Sequence, residues 1–160
     1  MKVSRPLLAS VCRARRLLIA LVLPLALILG AFAQRLPLPQ DSASMKIRLV
    51  LPAQTLFATL QDSPAARDFY RMLPLKLTLE DYAATEKIAY PPRKLDIAGE
   101  PEGHAPAAGD LAYYAPWGNL ALFHKGFRYS SGLVKLGRIE SDLEPLRKPG
   151  KVTVSIERAD

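Results

Sequence analysis

The stretch GDLAYYAPWGNLALFH, residues 109–124, carries Tyr113, Tyr114, the chain's one tryptophan at Trp117, and His124, and Tyr129 follows close behind. Aromatic rings offer flat apolar faces, and phenol, indole and imidazole add hydrogen-bonding tips. Tyr114, Trp117, His124 and Tyr129 are the candidate ligand-binding residues, because a concave site lined by aromatics with a few polar groups suits a peptide or small molecule. Tyr113 neighbours Tyr114 in a strand and must face the other way, on the side of Leu111 and Ala115, which marks it as core. Trp117 lies within P-W-G-N, a turn composition. It can serve as a ligand platform or cap a barrel end, and capping is the commoner use of a single tryptophan in a small domain.

Other chemistries find little support. His104 and His124 are the only histidines, and the loop residues Glu100, Glu102, His104 and Asp110 match no metal-ligand spacing, so no metal is expected. Ser130 and Ser131 follow His124, but no G-x-S-x-G elbow accompanies them. Glu80 and Asp81 are adjacent and face opposite sides of a strand, which makes them a poor acid/base pair. Glu86 and Lys87 read as strand-edge charges. The glycines are dispersed, with neither a P-loop nor G-x-G-x-x-G, so no nucleotide cofactor is expected. Lys125, Phe127, Arg128 and Tyr129 are too few to suggest nucleic-acid binding.

Strict alternation of apolar and polar residues sets out the elements that would hold these side chains. KIRLVL places Ile47, Leu49 and Leu51 on one face; LKLTLE does so with Leu75, Leu77 and Leu79, and KVTVSIE with Val152, Val154 and Ile156. Further strands are expected at Thr55–Leu60, Glu86–Ala89, Asp110–Ala115, Asn119–His124 and Leu133–Ile139. SPAARDFYRML reads as a helix capped by Ser63, with Pro64 at its first position and Ala66, Phe69, Tyr70 and Leu73 on one stripe. Pro74 ends it. A second turn of helix is expected at SDLEPL, capped by Ser141. About eight short strands, too closely spaced for repeated βαβ units, indicate a mainly β fold, an antiparallel barrel or sandwich. The stretch Ala98–Gly109 has the length of a functional loop.

The first 33 residues read as a cleaved secretory signal. Five basic residues precede the uncharged run LLIALVLPLALILGAFA, which ends in A-x-A at Ala31 and Ala33. As a helix that run reaches only about 25 Å, short of the roughly 30 Å hydrocarbon layer, and Pro24 weakens it further. The expected destination is the periplasm or the exterior, with membrane contact only during export. The leader holds 5 of 22 basic and none of 15 acidic residues, so the remainder carries 17 minus 15, or +2. The excess of positive charge therefore says nothing about a polyanionic partner. The single cysteine, Cys12, lies in the leader, so no disulfide is expected in the mature chain. Residues 34–45, QRLPLPQDSASM, read as a flexible linker, and residues 46–160 as one domain. A start at Met45 would instead give a chain without a leader.

LPLKLTLEDY, the following EKI at Glu86–Ile88, PEGHAPAAGDLAYYAPWGNLALF at 101–123 and YSSGLVKLGRIE at 129–140 resemble the bacterial cyclophilin-like fold proteins. The resemblance spans about Met45 to Asp160. It implies a closed β-barrel of about eight strands with one or two short helices, in a family without an established activity. Cyclophilins are prolyl isomerases that use an arginine in a Phe-His-Arg strand after the first helix. The corresponding strand here, LKLTLEDY, has none; Arg93 and Arg128 are the arginines that could replace it. A peptide- or small-molecule-binding module is therefore the leading expectation, and a weak peptidyl-prolyl isomerase the alternative.

Overall fold

Each alternating segment forms a strand whose apolar face turns inward. The computed structural model describes residues 44–159. The leader and most of the linker lie outside the described residues. The strands are β1 (Lys46–Val50), β2 (Thr55–Leu60), β3 (Leu75–Tyr82), β4 (Glu86–Ala89), β5 (Gly103–His104), β6 (Asp110–Tyr114), β7 (Asn119–Phe123), β8 (Ser130–Ser131), β9 (Leu133–Ile139) and β10 (Val152–Arg158). Helices α1 (Pro64–Arg71) and α2 (Glu144–Arg147) complete the set. Eight strands close into an antiparallel barrel in the order β1-β10-β3-β4-β7-β6-β9-β2, and β5 pairs with β8 in a separate ribbon.

Ile47, Leu49, Leu56, Leu79, Leu111, Leu120, Leu122, Leu136, Val154 and Ile156 fill the interior with no measurable exposure. Burying each such side chain stabilises the fold by roughly 1.5–3 kcal/mol before the entropic cost of ordering the chain. Helix α1 adds Ala65, Ala66 and Phe69 to this core, while Tyr70 is only half-buried. The Ser63 hydroxyl accepts from Ala66 N, and the Glu100 carboxylate accepts from Ala65 N at 2.8 Å, so two free donors at the helix start are satisfied. Ser141 does not cap α2. Leu143 holds that position, and the Ser141 hydroxyl accepts from Phe57 N in β2 instead.

Lys87 and Glu86 are not edge charges. Lys87 shares the inward side of β4 with Ala89 and is fully buried, its ammonium donating to Asp81 at 2.5 Å and to the Gly150 carbonyl at 2.7 Å. A buried charge is tolerated only with such partners. Glu86 lies on the opposite side of the strand and is 9% exposed. It is covered because β4 lies between β3 and β7, and a second small cluster of Ala112, Ala121, Phe123 and Leu133 packs on the outer face beside Ile88 and Tyr114.

The turn from β3 to β4 holds Ala83 and Ala84 at φ of 48° and 55°, the left-handed region that Asn and Gly adopt at least cost. Thr85 N donates to the Tyr82 carbonyl across it, and the Thr85 carbonyl accepts from His124 N and Lys125 N. Replacing the pair by Asn-Gly is expected to stabilise the protein by about 1 kcal/mol in urea unfolding. A loss of stability would mean that the alanine methyl groups hold contacts worth more than the backbone strain.

Candidate functional site

The outer ends of β3, β4 and the β6–β7 hairpin, with the segment leading into β8, enclose a cavity of about 280 Å³. The hairpin positions its walls by parity. Leu111, Tyr113, Leu120 and Leu122 point into the barrel, so Tyr114, Asn119 and Phe123 point out. Gly118 takes a φ of 76° and lets the turn close, its N–H donating to the Tyr114 carbonyl at 2.8 Å. That turn projects Trp117 outward.

Trp117 is 49% exposed and does not close the barrel end, so the capping role is corrected. Its ring stands nearly perpendicular to two tyrosines, at 87° to Tyr82 with centroids 5.4 Å apart and at 79° to Tyr114 with centroids 5.5 Å apart. Edge-to-face packing of this kind stabilises the three rings as a group. Phe123, Phe127, Arg128, Ser130 and Leu133 continue the lining, and the Arg128 guanidinium stands 5.3 Å from the centre of the Phe127 ring.

Two polar groups in this lining lack ordinary solvation. Burial raises the Glu86 carboxyl to about 7, well above its usual 4.5. The Asn119 amide nitrogen donates to the Leu120 carbonyl, while its Oδ1 is buried without a hydrogen-bond partner. An apolar cavity with a few convergent polar groups and a displaced pKa has the characteristics of a binding or catalytic site.

The four aromatic residues singled out in the sequence are not all brought together. Tyr114 and Trp117 share the cavity. His124 lines a neighbouring hollow of about 460 Å³ with Asp81, Lys125 and Arg147, on the far side of Tyr82 and Ala83. Burial, and then the positive charges of Lys125, Arg147 and Lys87, lower its pKa, which favours the neutral imidazole. Tyr129 is 59% exposed and lies against Gly103 of β5, where an added Cβ would stand 2.6 Å from its hydroxyl. Tyr82, Glu86, Asn119, Phe123 and Phe127 were not singled out as ligand contacts. The available signal was parity, which puts Glu86, Asn119 and Phe123 on the same outer face as Tyr114.

Tyr113 is buried as core, and its hydroxyl accepts from Leu95 N at 3.2 Å. The loop from Ala98 to Gly109 contains β5 and is tied down by Asp110, whose carboxylate meets His104 Nε2 and Lys135 Nζ at 2.8 Å each and Ala107 N at 3.0 Å. Burial alone would raise this carboxyl's pKa; the partners outweigh it, and the net shift is downward. The group is a structural anchor.

A family model described as "Cyclophilin-like family" matches residues 49–157, more than half of the chain. The chain belongs to the cyclophilin-like family. Among solved structures it is similar to a hypothetical protein from Archaeoglobus fulgidus determined in solution, at a TM-score of 0.54 and 22% identity over 76% of this chain and 100% of that one. At that identity the likeness shows the fold. No curated protein matches. In this cyclophilin-like barrel Arg93 grips Asp68 with both terminal nitrogens at 2.7 Å, holding that carboxyl down at about 2. Arg128 is the arginine that lines the aromatic cavity.

Proposed function

We propose that the chain is an exported binding module that receives a small molecule, or one side chain of a peptide, in the cavity beside Trp117. One observation carries this reading: five aromatic residues, Tyr82, Tyr114, Trp117, Phe123 and Phe127, line a single cavity together with a buried carboxyl and an unpaired amide oxygen. Unpaired buried polar groups destabilise a fold, and a ligand that satisfies them recovers that cost on binding. Export is supported by the basic leader, its apolar run and the A-x-A ending at Ala33.

A fragment and peptide titration followed by Trp117 fluorescence and amide NMR tests the site. Ligands are expected to perturb Trp117, Tyr114 and Glu86 together, and Trp117→Ala is expected to weaken them about tenfold while costing about 1–3 kcal/mol of stability through its two lost ring contacts. Shifts clustering elsewhere would sink the site. Cell fractionation with N-terminal sequencing tests export: the mature chain should begin at Gln34, and an intact Met1 or a start at Met45 would count against it.

The second reading, a weak prolyl isomerase, is favoured by Arg128 in the wall of an apolar cavity that could hold a proline ring. Catalysis needs a donor placed to relieve amide resonance in the twisted bond. Proline-peptide isomerisation lost in Arg128→Ala would support it, and an uncatalysed rate in the parent protein would remove it.

A further inference from the structure

We propose that the cavity selects an alkylammonium group of the choline type, held against the rings of Tyr82, Tyr114 and Trp117 beside the Glu86 carboxylate. This rests on the reading of the cavity as a ligand site and narrows it to one chemical class. Aromatic faces are electron-rich, with tryptophan the strongest of the three, and they attract desolvated cations without demanding N–H donors. The near-perpendicular setting of Trp117 to both tyrosines offers such a cation walls in different planes, as aromatic cages for quaternary ammonium groups do.

The polar groups point the same way. Glu86 is nearly buried in the wall of the cavity, and burial disfavours its ionised form. A bound cation would supply the missing counter-charge and favour the ionised form. Asn119 Oδ1 is an acceptor without a donor, suited to a hydroxyl or ammonium proton. Arg128 is the opposing charge in the lining, and its guanidinium sits against Phe127.

The test is an NMR and fluorescence titration of the full chain with choline chloride, beside its neutral carbon isostere 3,3-dimethylbutan-1-ol. Choline is expected to shift the Trp117 indole signal and to bind about tenfold more tightly than the alcohol. Glu86→Gln should cut that preference to threefold or less, and Arg128→Gln, which removes a like charge, should tighten choline. Equal affinity for the two compounds, or weaker choline binding in Arg128→Gln, overturns the ammonium assignment while the cavity still stands as a ligand site. The assignment also falls if choline leaves Trp117 unmoved while other fragments shift it. If no fragment of any class shifts the cavity residues, both readings fall.

Discussion

At pH 8 the Glu86→Gln variant is expected to be more stable than the parent protein by about 3 kcal/mol, and at pH 4 to match it. Burial raises the Glu86 carboxyl from 4.5 to about 7, and each pK unit is worth about 1.4 kcal/mol. Below pH 4.5 the group is protonated in both folded and unfolded chains, so no penalty arises. Between the two values the folded protein holds a proton that the unfolded chain has released, and stability declines as pH rises. Above about pH 7 both states are ionised and the full penalty applies. Glutamine has nearly the same shape and never ionises. Urea unfolding of both proteins from pH 4 to pH 9 measures the difference, and a gap that stays constant with pH would show that Glu86 is better solvated than its burial indicates. An ionised group that destabilises its own fold makes structural sense where a ligand completes it.

Gly137→Ala is expected to cost about 3 kcal/mol or more. Gly137 sits in β9 opposite Leu60 on one side and Leu111 on the other. A Cβ there would overlap the Thr59 carbonyl oxygen and stand 2.8 Å from the Leu60 Cα. Both are backbone atoms of the adjacent strand, so no side-chain rotation relieves the clash. The β2–β9 seam is only three residue pairs wide, and moving these strands apart weakens the closure of the barrel. Gly99→Ala is a suitable comparison: its φ of 82° strains alanine, yet an added Cβ meets nothing within 4 Å. Urea unfolding should show a loss at Gly137 well beyond that at Gly99. A loss below about 1 kcal/mol at Gly137 would mean that the seam yields without harm.

The barrel was legible because β1, β3 and β10 alternate cleanly and the remaining strands are short apolar runs between turns. Thr55–Leu60, Glu86–Ala89 and Leu133–Ile139 run between the expected ends, and Ser63 caps α1 as its position suggests. β3 extends beyond LKLTLE because Asp81 and Tyr82 pair with Lys87 and Glu86. The β5–β8 ribbon escaped notice because two-residue strands show no period. Of the candidate cavity's walls, Tyr114 and Trp117 were visible in the sequence. Glu86 was hidden by the expectation that a charge at a strand edge faces solvent. Alternation assigns residues to opposite faces but does not say that both faces of a strand are covered, as they are at β4. Convergence is likewise a property of the folded chain: Tyr129 lies close to Phe127 in sequence, yet only Phe127 lines the cavity.

Closure of the eight-stranded ring governs how any peptide could be recognised. Every barrel strand has a neighbour on each side, so the ring offers no free edge for a peptide to join as an added strand. For the binding role proposed above, this leaves side chains and end groups as the means by which the barrel strands could recognise a peptide. A partner would be chosen for one compact chemical feature inserted between the rings, and long variation in the sequence around that feature would be tolerated.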